Sequence, residues 1–180
     1  MKRMKEVTLA ILIMALCCGS GLGKTVKAEN VYSYDANTKL YTEKKITKGT
    51  KQMKKGARYG IYQVVKIKGN KIILRGAAGL HLSADPYFKT KKKIYKLAKK
   101  CKFYYTDVSY YSMETGKQMY KKLTKKNVRT IMTDQYSKAR KEKIYDGEKY
   151  LSKKYYTGGF FGQIYMKKGK IVAILMNGGD

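Results

Sequence analysis

Apolar and polar residues alternate from Tyr59 onward: Tyr59, Ile61, Val65 and Ile67 fall on one face, the period-2 pattern of a half-buried strand. Lys68-Gly69-Asn70-Lys71 then makes a tight turn, since Gly and Asn tolerate positive φ, and Ile72-Ile73-Leu74 returns as the partner strand. Residues 76–93 hold Gly76, Gly79, Pro86 and a run of lysines, and read as a loop. Ile94-Tyr95-Lys96-Leu97 and then Cys101 to Val108 are rich in aromatic and β-branched side chains and predict further strands. Glu114-Thr115-Gly116-Lys117 marks another turn, followed by a short extended piece through Leu123.

The period then becomes helical. Thr124 is a capping residue, and Val128, Ile131, Met132, Tyr136 and Ala139 share one face, which predicts a helix over residues 125–139. The charged stretch from Lys141 to Lys154 reads as a connection. Phe160 to Met166, the turn Lys167-Lys168-Gly169-Lys170, and Ile171 to Met176 form a second hairpin that echoes the first. Three strands, a helix and two strands is the order of a small five-stranded OB-like barrel; an open β-sheet or β-roll with one packed helix is the alternative. The β domain spans residues 57–176. Residues 29–56 read as a polar, lysine-rich tether or a loosely attached strand, and 177–180 as a short tail.

Residues 1–28 carry the three parts of an export signal. Lys2, Arg3 and Lys5 give a positive start, Val7 to Cys18 is an uncharged and largely apolar run, and Val26-Lys27-Ala28 offers a cleavage site. That run is twelve residues long, short of the ~20 that a membrane-spanning helix needs. Cys17 and Cys18 raise the alternative of a lipid-anchored protein, although Leu16 before Cys17 fits a lipobox poorly. The expected location is therefore outside the cell, associated with its envelope.

Export changes the charge only slightly. The first 28 residues take five of the 41 basic residues and one of the 12 acidic ones, so cleavage after Ala28 leaves a net +25. Five basic residues of the whole chain are arginines: Arg3, Arg58, Arg75, Arg129 and Arg140. Arginine makes forked contacts to phosphate and guanine edges, whereas lysine acts as a hydrated point charge. A lysine-dominated surface therefore fits diffuse attraction to polyanions better than sequence readout, though A/T-rich coding also inflates lysine.

Candidate chemistry is sparse. His81 is the one histidine, and Cys101 is the one cysteine left after cleavage, so no internal disulfide forms. Cys101 sits among apolar residues and reads as a buried thiol rather than a nucleophile. Asp85, Asp107 and Asp134 lie nearest the predicted elements and suit turn or cap roles better than the paired carboxylates of a hydrolase. No metal-ligand spacing and no phosphate-cradling loop is present, so the sequence implies no cofactor, no metal and no catalytic residue.

Tyrosine interleaved with lysine is the pattern that remains. The chain has 18 Tyr and no Trp, with Phe103-Tyr104-Tyr105, Tyr110-Tyr111 and Tyr155-Tyr156 adjacent. Strand neighbours face opposite sides, so one member of each pair is expected in the core and the other in solvent. Exposed Tyr beside Lys can stack on rings and attract anionic backbone. The candidate ligand-binding residues are Lys91, Lys92, Lys93, Tyr105, Tyr111, Lys121 and Lys122. Their expected partners are anionic cell-envelope polymers or lipid head groups. Extracellular single-stranded nucleic acid is the alternative, and an envelope hydrolase a weaker one.

The segment Tyr62 to Leu74, the strand Lys102 to Thr106, the capped Leu123-Thr124 and the ending Lys168-Gly169-Lys170-Ile171-Val172 resemble small exported β-barrel domains of unknown function from Gram-positive bacteria. The resemblance covers about residues 57–176 and implies fold and compartment. It brings no catalytic residues with it.

Overall fold

A computed structural model describes residues 37–81, 85–106, 110–136, 139–146 and 149–177. The expected export signal at 1–28, with Cys17 and Cys18, lies outside them, as do Asp107, residues 178–180 and the side chains of Asp134 and Tyr136. In chain order the elements are β1 (Leu40–Thr42), α1 (Glu43–Thr47), β2 (Lys51–Gln52), β3 (Ile61–Lys68), β4 (Lys71–Leu80) and β5 (Pro86–Thr106). Then come β6 (Tyr111–Ser112), β7 (Lys117–Leu123), α2 (Lys125–Tyr136), β8 (Arg140–Asp146), β9 (Lys149–Thr157), β10 (Phe161–Lys167) and β11 (Lys170–Asn177). The described residues are mainly β, with one helix longer than two turns among them. Eleven strands occur among the described residues, where five were expected.

Five of the strands pair in a circuit. β3 pairs with β4, β4 with β5, β5 with β11, β11 with β10, and β10 with β3. All these pairs are antiparallel except β5–β11. The helix α2 lies between β5 and β10 in the chain. Two further pairs, β6–β7 and β8–β9, are inserted around it.

The first hairpin forms as expected, with a phase change inside it. A bulge falls between Val64 and Lys66 of β3, where two steps oppose one on β4. Counting straight through that point puts odd-numbered residues inside. Ahead of the bulge the core side chains are instead Tyr62 and Val64, and Tyr59 is exposed in the turn before the strand; Val65 is buried and Ile67 packs against the core, as expected. Gly69 sits at φ 59 in the turn, a conformation a Cβ would oppose; Asn70 keeps negative φ.

The expected loop at 76–93 is mostly strand. β4 runs to Leu80 and β5 begins at Pro86, and their pairing continues through Lys93 and Tyr95. Proline is tolerated because it opens the strand. The two strands expected at 94–97 and 101–108 are one bent strand, whose lysines face solvent while its backbone stays in the ladder. Lysine content suggested a loop; backbone pairing does not depend on it.

Two apolar layers result. The larger gathers Tyr62, Leu74, Phe103, Ile164, Ile174 and Met176 with the inner face of α2. Thr124 and Asn127 cap that helix reciprocally, each backbone N–H donating to the other's side-chain oxygen at 3.1 Å. The smaller layer holds Tyr104, Tyr120, Tyr165, Ala173 and Leu175 on the other face of the sheet, covered by Tyr41 and Ile46. Those two side chains come from the segment expected to be a tether. β1 pairs with β7 and β2 with β10, and Tyr165 donates a hydrogen bond to the Glu43 carboxylate of α1. Burial of Tyr41 and Ile46 makes residues 40–52 part of the folded unit. At the other end Asn177, assigned to the tail, still pairs with Phe161 and Thr106.

Candidate polyanion-binding surface

The seven candidate residues do not form one patch. Lys91, Lys92 and Lys93 lie exposed on the half of β5 that pairs with β4. Lys121 and Lys122 lie on β7, opposite Tyr105 and Tyr104. Twelve positions of β5 separate the two groups, roughly 40 Å along the strand at ~3.3 Å per residue.

Tyr105 is not a surface residue. It is 4% exposed and packs edge-on against Tyr110, with ring centroids 5.9 Å apart. Its neighbour Tyr104 is buried as well, because the segment at 40–46 covers the face it points to. The alternation expected of paired tyrosines holds where only one face is covered: Tyr110 is buried and Tyr111 is 49% exposed. At 155–156 both rings are partly buried. Tyr155 meets Tyr87 edge-on at 5.0 Å, and the Arg75 guanidinium lies 3.5 Å from the centre of the Tyr156 ring.

Alternation along β5 sorts the lysines by face. Lys89, Lys91 and Lys93 share a side with Tyr95, around a cavity of about 190 Å³ that Tyr62, Leu74, Gly56 and Gly76 complete. The Lys89 ammonium donates to the Gly56 carbonyl at 3.3 Å. Burial pushes the Tyr62 phenol up to about 12, with Tyr95 adding to the effect; that hydroxyl donates to the Lys55 carbonyl at 2.8 Å. Lys92 points the other way, opposite Arg75.

The β8–β9 hairpin, read from sequence as a connection, is the most prominent Lys/Tyr element. Lys141, Lys143, Lys149, Lys153 and Lys154 are all exposed on it. Tyr145 and Tyr150 face each other across the strands, edge-on at 4.5 Å, and are 37% and 65% exposed. Its base is fixed. Phe88 of β5 pairs with Tyr156, Arg75 donates to the Gln63 carbonyl oxygen at 2.7 Å, and the Gln63 amide donates to the Gly158 carbonyl at 2.7 Å. Asp146-Gly147 between two Tyr-containing runs is the sequence signal for this hairpin.

Cations also stand opposite cations across the sheet. Lys68 opposes Lys71, Lys71 opposes Lys96, Arg75 opposes Lys92, Lys143 opposes Lys154 and Lys167 opposes Lys170. Like charges directly opposite are destabilising. A chain that repeats this arrangement on four strand pairs is electrostatically short of anions.

Cys101 lines a cavity without histidine or carboxylate among its described lining residues, and burial pushes its thiol up to about 12 against the opposing pull of Lys125. His81 sits just beyond β4, its backbone N–H donating to the Asp85 carbonyl at 2.7 Å. Among the described residues no group of three His, Cys, Asp or Glu is placed to hold a metal, and no helix is long and apolar enough to cross a membrane. No family model, no curated protein and no solved structure matches the chain.

Proposed function

We propose that this chain is an exported, non-catalytic module of the bacterial cell envelope that binds anionic polymers through lysine and tyrosine on an OB-like barrel. The observation that carries the reading is the set of exposed cross-strand lysine pairs, Lys68–Lys71, Lys71–Lys96, Lys143–Lys154 and Lys167–Lys170, which a polyanion would relieve. The barrel assignment rests on the pairing circuit β3-β4-β5-β11-β10-β3, its single parallel step at β5–β11, and a helix between its third and fourth strands. Export rests on residues 1–28, with a lipid anchor at Cys17 or Cys18 as the alternative. On a Gram-positive envelope, the compartment that the resemblance implies, the partners of this reading are teichoic acids, anionic glycans and lipid head groups. A net +25 would concentrate the chain on them.

Within this reading the β8–β9 hairpin makes the main contact. Tyr145 and Tyr150 offer ring faces and edges, and the surrounding lysines supply charge. Lys91, Lys92, Lys93, Tyr111, Lys121 and Lys122 extend the surface to other faces; Tyr105 contributes to the core alone. Single-stranded nucleic acid shares the Lys and Tyr features and remains the second ligand class. Co-sedimentation of the exported protein with purified walls, with walls stripped of teichoic acid, and with immobilised oligonucleotides separates the classes. Retention on intact walls that falls on stripped ones is the expected result. Equal retention on both, or preference for oligonucleotide, would reject the teichoic-acid assignment.

A further inference from the structure

A second opening, unrelated to the β8–β9 hairpin, lies between the end of the sheet and α2. It arises from an irregularity in β5. Between Leu97 and Lys102 that strand takes five steps where β11 takes two, from Ile171 to Ala173. The surplus residues bow away from the sheet, and α2 crosses over the gap. The space enclosed is about 550 Å³, within the ~300–1,000 Å³ typical of small-molecule sites.

Its lining divides by depth. Ile67, Leu97, Phe103 and Val128 give apolar walls, and Leu97, Phe103 and Val128 are themselves core residues. Lys99, Lys125, Arg129 and Lys170 bring cations to it, and all four are exposed. Lys125 and Arg129 are four residues apart on α2 and so stand one turn above the other on the same face. No carboxylate is among the described lining residues. An apolar interior beneath four cations is complementary to a molecule with a hydrocarbon body and one anionic end.

We propose that this cavity binds a single-chain amphiphilic anion, its chain against Ile67, Leu97, Phe103 and Val128 and its phosphate or carboxylate head at Lys99, Lys125, Arg129 and Lys170. The site is independent of the polymer-binding surface. A folded polymer backbone would meet the cations but could not fill the apolar interior; an uncharged hydrocarbon would gain nothing from the lysines at its mouth.

The test uses the exported protein and dodecyl phosphate below its micelle concentration, followed by calorimetry. Alkylation of Cys101, which lines the cavity, is read in parallel by peptide mass. Saturable one-to-one binding that slows Cys101 alkylation is expected, and decanoate should behave similarly. Inorganic phosphate should bind at least about tenfold more weakly, since it forgoes the apolar contacts. Lys99→Glu with Lys125→Glu should weaken dodecyl phosphate by about tenfold or more, and Ala98→Trp should block the cavity while leaving wall retention intact. Extraction of dodecyl phosphate from phosphatidylglycerol vesicles would assign the natural source to bilayer lipid; binding of the free monomer alone would assign a soluble amphiphile. Dodecyltrimethylammonium binding as well as dodecyl phosphate, inorganic phosphate binding equally, or the double charge reversal binding unchanged would each overturn the proposal.

Discussion

Two hairpins of similar length, β8–β9 and β10–β11, follow each other in the chain and are built for different solvents. In β10–β11 five of the six positions between Lys170 and Asn177 are buried: Ile171, Ala173, Ile174, Leu175 and Met176 leave no polar face, because the sheet is covered on both sides. The strands approach so closely that a Cβ on Gly162 would stand 1.9 Å from the Leu175 carbonyl oxygen. In β8–β9, by contrast, Ile144 is the one buried apolar side chain among the described residues, and Lys143, Tyr145, Lys149, Tyr150, Lys153 and Lys154 stand exposed around it. One hairpin holds the molecule together. The other presents charge and rings that the fold itself does not use.

Substitutions at matched places sharpen that contrast most. Ile174→Ala, at a fully buried site, should cost about 2–5 kcal/mol, and Gly162→Ala should be at least as damaging because the obstacle is backbone. Tyr150→Ala, at a site 65% exposed, should cost no more than about 1 kcal/mol. Urea denaturation of the three variants measures this. Similar losses at all three sites would erase the distinction.

Alkaline pH addresses the core hairpin and its neighbours. Burial raises the phenols of Tyr62, Tyr104, Tyr120 and Tyr165 above the ordinary value near 10, Tyr62 to about 12, and Glu43 reinforces the effect at Tyr165. The folded state therefore holds protons that the unfolded state releases first. This contribution is complete below pH ~10 and is lost as pH rises through about 12. Thermal melts should show stability declining across that window. A melt unchanged up to pH 12 would contradict the burial of these phenols.

Salt addresses the exposed side. Screening weakens repulsion between Lys143 and Lys154, and between the other facing cations, so stability should rise from low ionic strength toward ~0.15 M. Each relieved pair is worth about 0.2–1 kcal/mol at most. Polyphosphate should act at far lower concentration than sodium chloride. Stability that falls with salt would mean that the lysines are already paired.

The same contrast explains what the sequence revealed. Gly69 and Lys168-Gly169 marked the β3–β4 and β10–β11 hairpins, and Thr124 with the spacing of Val128 and Ile131 marked α2, because these depend on local conformation and period. The bulge at Val65 is silent in composition, so the inward face of β3 was read correctly at Val65 and Ile67 and in the wrong phase ahead of them, at Tyr59 and Ile61. Tyr105 was misplaced because it faces the larger layer beside Tyr110, while its neighbour Tyr104, which alternation alone would leave in solvent, is covered by Tyr41 and Ile46, more than 50 residues away in the chain. The lysines of β5 and of β8–β9 disguised strands as loops. The site was legible as a composition, Lys with Tyr, and illegible as a place.

The most direct test of the central claim is the salt dependence of binding to anionic walls, for the parent chain and for one with Lys141, Lys143, Lys153 and Lys154 each changed to Gln. Each lysine that neutralises a phosphate releases a counterion, so the logarithm of the binding constant should fall linearly with the logarithm of salt, by roughly 0.7–0.9 per contact. The parent should show a steep line, and the variant a slope shallower by about 3 with the melting curve no lower than the parent's. Identical slopes would contradict the account, leaving β8–β9 as solvated surface and placing any polyanion contact elsewhere.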